Sequence, residues 1–301
     1  MSEWILSLEG TEAAPRLAFW LALLAALSHA IFGALQKGRH DPWVTRASID
    51  INHIVLTFPW LFVVPWPEPH MWPIFAGVMV LHFGYKLLQA MAYTRGAYTV
   101  VYPVVRGTGP LFAVIGAYLL FGEAFSITQW VGLGVLLVGI FGLAIYNLIF
   151  LETDRETLLP ALGFAFATGL FVALYTTFDA YGIRATADPF TFLAWFFFLA
   201  AFDFPIMFAV SRAMRARLHN VALRPLMIRG AVGAIVAYVS FGAVMLATRL
   251  DQVGEAAVLR ETSTVFAALI GWLVLRETVG PRRIALMALI ALGAVIVEAG
   301  G

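Results

Sequence analysis

The sequence contains no cysteine, which excludes disulfides, thiolate metal sites and cysteine nucleophiles. Charge is also scarce, since 12% of the 301 residues are charged and 61% are apolar. The first fifteen residues contain no Lys or Arg, so the basic n-region of a cleaved signal peptide is missing and none is expected. The net charge is +1 without a basic tail, and nucleic acid is not expected as a partner.

Enzyme motifs are missing too. There is no HExxH, no GxSxG and no paired aspartate cluster of the kind that holds magnesium pyrophosphate. The six histidines show no metal-ligand spacing, and the glycine-rich stretch 131–142 has no Walker-type lysine. We therefore expect no enzyme activity, no cofactor and no metal. An intramembrane enzyme would need a site assembled from distant residues.

The chain instead has a series of apolar runs near twenty residues, the length that an α-helix needs to cross a bilayer. Backbone groups in the bilayer core must be satisfied within the structure, and alternating ten-residue strands are absent, so helices are expected. Hydropathy therefore predicts an all-α integral membrane protein. The ten predicted transmembrane helices are 17–36, 44–64, 72–93, 99–121, 127–148, 159–181, 189–210, 225–247, 253–275 and 284–299.

The sequence also contains an internal repeat. A shift of 154 positions aligns residues 94–123 with residues 248–277 without a gap, and nine of those thirty positions are identical. Apolar composition does not explain why two arginines, two threonines and a glutamate fall in register. The identical pairs are Thr94/Thr248, Arg95/Arg249, Val104/Val258, Arg106/Arg260, Thr108/Thr262, Phe112/Phe266, Ala113/Ala267, Leu119/Leu273 and Glu123/Glu277.

We therefore predict two five-helix repeats, residues 1–150 and 151–301, and the second repeat is inverted because five is odd. Inverted repeats are typical of secondary transporters, whose substrate site lies near the membrane midplane between the halves. The loops after the odd-numbered spans hold twelve Lys and Arg residues, whereas the termini and the other loops hold three. By the positive-inside rule, both termini are predicted to lie outside the cytoplasm.

The sequence resembles the ten-helix EamA-type members of the drug/metabolite transporter superfamily. The resemblance is carried by the duplicated unit, by AMAYTRGAYTVVYPVVRGTGPLFAVIGAYLLFGE at residues 90–123, and by its partner, which ends in ALIGWLVLRE at Glu277. It implies a secondary transporter of small organic solutes, often an exporter, and we expect it in a bacterial-type inner membrane. The family commonly has a cytoplasmic amino terminus, but the second loop here, PWPEPHMWP, lacks Lys and Arg, and we follow the charges.

Two arginines lie deep within predicted spans. Arg106 is seven residues into the fourth span, about 10 Å along the helix, and Arg260 is equally deep in the ninth. Facing lipid, each would cost at least about 2.5–3.5 kcal/mol, so each is expected to face a partner or a wet cavity. Either both bind an anionic group of the substrate, or they form structural ion pairs. Asp251, Glu255 and Glu261 offer such a pair to Arg260, and Arg106 has no acidic neighbour in sequence.

The third predicted span has one polar face. His82, Lys86, Gln89 and Tyr93 are spaced i, i+4, i+7 and i+11, and the repeat places no charged or aromatic residue at the matching positions. This face would make the site asymmetric, as an asymmetric solute requires. Alternatively the face packs on other polar helices, Lys86 extends to the interface, and His82 is an ordinary hydrogen-bond partner instead of a proton-coupling group.

In the sixth span, Tyr175 and Asp179 share a helix face, and an acid there suits a substrate ammonium or a transferred proton. Asp203 is expected to neutralise charge, and Glu123 and Glu277 to cap helix ends. Four glycines of the fifth span are predicted to pack closely against another helix. The predicted substrate-binding residues are Arg106, Arg260, Lys86, His82, Gln89, Tyr93, Tyr175 and Asp179, and the four glycines are Gly132, Gly134, Gly139 and Gly142.

The predicted function is secondary transport of a small zwitterionic or anionic metabolite, such as an amino acid, by alternating access about a midplane site. We expect a monomer in the lipid bilayer, and His82 makes coupling to protons chemically available. A phosphorylated or phosphonate substrate is the alternative, favoured if the three cations have no acidic partners, whereas neutralisation favours a zwitterion. An intramembrane enzyme, a sensor and a channel are the further alternatives.

Overall fold

The computed structural model describes residues 2–36, 41–95, 98–150, 155–273 and 280–301, and these ranges are helical with no β-strand. The helices are α1 (Ser2–Leu8), α2 (Ala13–Gln36), α3 (Pro42–Thr57, followed by a 3-10 turn Phe58–Phe62), α4 (Met71–Arg95), α5 (Tyr98–Phe121), α6 (Ile127–Phe150), α7 (Arg155–Ala185), α8 (Pro189–Leu199), α9 (Asp203–Val210), α10 (Arg212–Ala216), α11 (Leu223–Leu250), α12 (Val253–Arg260), α13 (Ser263–Leu273) and α14 (Pro281–Ala299). Two short helices, at residues 2–8 and 212–216, lie outside the predicted spans, and the others agree with those spans to within about four residues when the 3-10 turn after α3 is included.

Seven helical segments of the described residues are long and apolar enough to cross a bilayer. They fall on α2, α4, α5, α6, α7, the α8–α9 segment and α11. The other three predicted spans coincide with α3, with α12 and α13 together, and with α14. These helices are not among the seven segments. Spans two, nine and ten therefore stay predictions.

Helix packing links the two halves of the chain throughout. The first predicted span, α2, packs on α11 and α13, which belong to the eighth and ninth spans. The sixth predicted span, α7, packs in the same way on α4 and α5, the third and fourth spans. Likewise α6 packs on α14, the fifth span on the tenth. Each contact thus has a counterpart in which the halves exchange roles, which is the pattern expected of inverted repeats.

The contact between α6 and α14 is made by backbone atoms. A Cβ on Gly132 would lie 2.7 Å from Val297 N and 2.8 Å from Gly293 O, so a side chain there has no room. Gly139 is equally close to the α14 backbone, at Leu286 O and Ile290 N, whereas a Cβ on Gly142 would lie 2.6 Å from the Leu286 side chain. The glycine prediction is confirmed for these three residues. It is wrong for Gly134, which has open space where its side chain would be.

Asp-Pro dipeptides begin two of the helices. Asp41 Oδ1 accepts hydrogen bonds from the amides of Trp43 (2.8 Å) and Val44 (3.3 Å), and Asp188 Oδ1 accepts one from Thr191 (2.8 Å). In both cases proline follows at the first helical position, where its missing N–H is not needed.

Two predicted spans are broken in the structure. The seventh is interrupted between α8 and α9 at Ala200–Phe202, because the ring of Pro205 clashes with the carbonyl that lies four residues earlier in a continuous helix. The ninth is interrupted between α12 and α13, where Thr262 Oγ1 donates to the Leu259 carbonyl at 2.7 Å and so competes with the helical backbone bonds. The breaks leave helix-end carbonyls that need donors.

Candidate functional site

All eight predicted site residues lie within the described part of the chain. Four are on α4, two on α7, and one each on α5 and α12. Six are buried, and Gln89 and Tyr93 are half-buried. The residues line three neighbouring interior cavities instead of a single one.

Each cavity contains basic side chains of its own, and we name it after one of them. The Arg260 cavity is lined by Tyr175, Asp179 and Phe241, among others. Tyr85, Gln89, Tyr93 and Tyr175 line the Arg106 cavity. Arg46, Asp50, His82 and Phe241 line the Lys86 cavity.

Three aromatic rings lie where the cavities adjoin. The His82 ring centroid is 4.6 Å from that of Tyr175 and 6.2 Å from that of Phe241, and the last two are 6.0 Å apart. Tyr175 and Phe241 each line two of the cavities. These rings therefore stand between the three polar pockets.

Arg106 is neutralised by the other half of the chain. Its Nε lies 2.9 Å from Glu261 Oε2, and its Nη2 donates to Ser263 Oγ at 2.6 Å and to the Arg260 carbonyl at 3.2 Å. The Arg106 guanidinium thus satisfies the carbonyl at the break between α12 and α13. Arg106 has no acidic neighbour in sequence, and its acidic partner comes from 155 residues away along the chain.

Arg260 has no salt bridge among the described residues, although it is 97% buried. Its Nε and Nη2 have no hydrogen-bond partner there, its guanidinium carbon lies 4.8 Å from the centroid of Phe241, and Tyr175 is within hydrogen-bonding reach. The repeat explains the difference between the arginines. In the first half, the positions equivalent to Glu261 and Ser263 are Gly107 and Gly109, 154 residues earlier. A glycine has neither a charge nor a hydroxyl group with which to bind Arg260.

Lys86 is neutralised as well. Its Nζ donates to Asp203 Oδ1 at 2.9 Å, to Asp50 Oδ2 at 3.2 Å and to the Ala200 carbonyl at 2.5 Å, so all three of its protons have acceptors. Arg46 Nε lies 3.3 Å from Asp50 Oδ1. We call Arg46, Asp50, Lys86 and Asp203 the Lys86 cluster, and its formal charge is zero. The expectation for Asp203, charge neutralisation, agrees with this geometry.

Lys86 and Arg106 have parallel roles at the two helix breaks. Each comes from the first half of the chain, donates to a carbonyl at the end of the helix before a break in the second half, and pairs with an acid in that break or just after it. In this conformation, their charges stabilise contacts between helices of the two halves. Of the three predicted substrate cations, Arg260 is the one without an acidic partner among the described residues.

His82 and Asp179 form a buried pair between the halves. His82 Nε2 is 2.9 Å from Asp179 Oδ2, whereas Asp179 Oδ1 is buried without a hydrogen-bond partner among the described residues and lines the Arg260 cavity. The remaining predicted residues are linked by hydrogen bonds along α4: Gln89 Nε2 donates to the Tyr85 hydroxyl at 3.0 Å, and Gln89 also bonds Tyr93.

Several interior polar residues were not predicted to belong to the site. On α3, Asp50 is buried and Arg46 is half-buried, and an acid four residues after a base inside an apolar span was the available signal. His29 is buried on α2 and lines the Arg106 cavity, and Ser263 bonds Arg106. No group of three or more metal-ligating side chains occurs in the described ranges.

Glu123 and Glu277 were both expected to cap helices. Glu123 does: its Oε2 accepts from the amides of Val253 (2.7 Å) and Gly254 (3.3 Å) at the start of α12, and its Oε1 pairs with Arg184 at 3.0 Å. Glu277 lies outside the described residues.

Known proteins resemble this chain over most of its length. A sequence model of the EamA-like transporter family matches residues 16–145 and again residues 159–298. An uncharacterized protein of Sinorhizobium fredii, designated y4nH, is 36% identical over 72 residues, which cover 24% of this chain and 62% of that protein, less than two thirds of its length. One solved crystal structure matches with a TM-score of 0.70 at 16% identity, over 95% of this chain and 98% of that one, and this shows the fold.

Proposed function

This chain belongs to the EamA-like transporter family of the drug/metabolite transporter superfamily, and from that membership we propose that it is a secondary transporter of a small zwitterionic or anionic metabolite such as an amino acid. The observation that carries the proposal is the buried guanidinium of Arg260, which lines an interior cavity and has no acidic partner among the described residues. A buried cation without a counter-ion is costly, and a substrate carboxylate would supply that counter-ion.

The charge balance of the interior favours a substrate with one negative charge. Lys86 and Arg46 are balanced by two aspartates, and Arg106 is balanced by Glu261. Arg260 alone is left to bind an anion among the described interior cations. A phosphate monoester carries about −1.5 to −2 charges at neutral pH and would exceed this one charge. The phosphorylated or phosphonate alternative is therefore the weaker of the two.

Asp179 favours a zwitterion over a simple anion. Its Oδ1 has no hydrogen-bond partner among the described residues, and Asp179 lines the same cavity as Arg260. A substrate that carries an ammonium group beside its carboxylate would satisfy both side chains at once. Phe241, Val244 and Met245 line the rest of the cavity and offer apolar contact.

The mechanism we propose is alternating access between inverted halves. The exchange of helix contacts between the halves and the two matches to one family model support a duplicated five-helix unit. Broken helices next to the cavities are typical of midplane sites in transporters with inverted repeats. The aromatic rings between the cavities favour such a mechanism over a continuous channel.

Transport direction, membrane and orientation stay predictions. The family resemblance favours export across a bacterial-type inner membrane, and the distribution of Lys and Arg favours termini outside the cytoplasm. No observation favours the intramembrane enzyme or the sensor.

The test is ligand-induced stabilisation of the purified protein, followed by uptake into proteoliposomes. Neutral amino acids, dicarboxylates and phosphorylated metabolites would be compared, because a ligand that binds the native state raises its stability. We expect neutral amino acids to stabilise the wild type. Arg260→Gln is expected to weaken their binding roughly 10- to 150-fold, the range for one charge-assisted hydrogen bond, and Arg212→Gln, at the exposed start of α10, is the matched control.

The outcomes separate the alternatives. Binding that is unchanged in Arg260→Gln would refute Arg260 as the anion site. Stabilisation by phosphorylated compounds alone would refute the zwitterion. A ligand that binds but never accumulates in proteoliposomes would refute transport in favour of a sensor.

A further inference from the structure

Half-helix α12 is held at both ends by charged residues of the first half of the chain. At its start, the Glu123 carboxylate accepts from the amides of Val253 and Gly254 at 2.7 and 3.3 Å. At its end, Arg106 Nη2 donates to the Arg260 carbonyl at 3.2 Å. Helix ends leave such amides and carbonyls without partners, and the helix dipole favours an anion at the start and a cation at the end. Both contacts therefore have the favourable sign.

Each of these contacts is reinforced by a further ion pair. Arg184 Nη2 lies 3.0 Å from Glu123 Oε1 and also donates to the Asp251 carbonyl at 2.7 Å, next to the start of α12. At the other end, Glu261 pairs with the guanidinium of Arg106 at 2.9 Å. α12 is eight residues long, so these two ends control its whole position.

The last residue of α12 is Arg260, which lines the Arg260 cavity and has no acidic partner in the part of the chain that the structure describes. A shift of α12 by one residue moves it about 1.5 Å along its axis and turns it by about 100°. Such a shift would remove the Arg260 carbonyl from Arg106 and the guanidinium from its place over Phe241. The direction of this side chain therefore depends on the contacts at both helix ends.

We propose that Glu123 and Arg106 are positioning residues, which fix α12 by its ends and thereby aim Arg260 into its cavity. Insofar as Arg260 binds an anion, this inference rests on the proposed function. It gives Arg106 a role through Arg260 instead of contact with the substrate. Arg106 and its repeat equivalent Arg260 then have different roles, since Arg106, together with Glu123 of the first half, holds a helix of the second half.

The test measures the position of α12 without any substrate. The chain has no cysteine, so Arg260→Cys introduces a single thiol, which a small water-soluble thiol reagent labels at a rate that reports its surroundings. Thr176→Cys, on α7 in the same cavity, is the reference position that does not move with α12. Both are measured alone and with Glu123→Ala, Glu123→Gln or the control Glu12→Ala, which removes an exposed carboxylate.

We expect Glu123→Ala to change the labelling rate at position 260 roughly 2- to 30-fold, the range for the loss of one helix cap. Glu123→Gln keeps an acceptor for the α12 amides and should change it less, whereas the rate at position 176 and all rates with Glu12→Ala should stay the same. An unchanged rate at position 260 would overturn the proposal, and so would equal changes at both positions, which indicate general loosening. Because no substrate is used, these results stand apart from the success or failure of the transport proposal.

Discussion

Arg106 and Arg260 are equivalent in the repeat, but the structure predicts that their removal affects stability differently. Arg106→Met leaves Glu261 buried at a position where no other described cation pairs with it. Removing one partner of a buried ion pair costs about 3–5 kcal/mol. At about 2–4 °C per kcal/mol for a chain of 150–250 residues, the melting temperature should fall by roughly 6–20 °C.

Arg260→Met removes a buried charge that has no acidic partner among the described residues. The protein then loses the contact with Phe241, worth about 0.5–2 kcal/mol, and the hydrogen bond with Tyr175, worth about 1.5–3 kcal/mol. It also no longer has to desolvate an unpaired guanidinium, which is a gain of comparable or larger size. We therefore expect the melting temperature of ligand-free Arg260→Met to be unchanged or higher.

The assay is thermal unfolding of ligand-free protein in detergent, followed by the fluorescence of its nine tryptophans. Glu261→Gln added to Arg106→Met removes the orphaned charge and should recover much of the lost stability, which a double-mutant cycle quantifies. Equal losses for Arg106→Met and Arg260→Met would refute the assignment of Glu261 to Arg106. So would a double variant that is no more stable than Arg106→Met.

Three further predictions concern the same unfolding measurement. Lys86→Met leaves two aspartates with one arginine and should cost about 3–5 kcal/mol; if adding Asp203→Asn recovers nothing, the Lys86 cluster is misassigned. Gly132→Ala should cost about 1–3 kcal/mol because its methyl group meets α14 backbone, whereas Gly134→Ala should be harmless; similar effects would contradict the packing. Asp41→Ala removes an N-cap and should cost about 0.5–2 kcal/mol, and Asp41→Asn, which keeps the cap, should be milder.

The positions of the helices could be predicted from the sequence because long apolar runs have few other solutions in a bilayer. The two breaks could not, because hydropathy averages over about twenty residues and is insensitive to a kink. Pro205 was the local signal for one of them. At the other, Thr262 competes for backbone bonds only in the folded geometry.

The partners of the interior cations could not be predicted either. Glu261 directly follows Arg260 in sequence, but successive residues of a helix point about 100° apart, and Glu261 reaches Arg106 of the other half instead. The depth of both arginines was predicted from hydropathy, and the repeat contained the decisive difference, since glycine stands in the first half at the position equivalent to Glu261. Lys86 was predicted to contact substrate, and its acidic partners on α3 and α9 depend on helix packing.

The glycine contact between α6 and α14 has a mechanical consequence for the whole molecule. Two backbones that touch without side chains between them cannot slide or separate by changing rotamers. Elsewhere, as where α3 meets α8 and α9, the halves touch through side chains and ion pairs that can rearrange. Motion of one half relative to the other should therefore be smallest along α6 and α14. It should be largest where the halves meet through side chains and ion pairs.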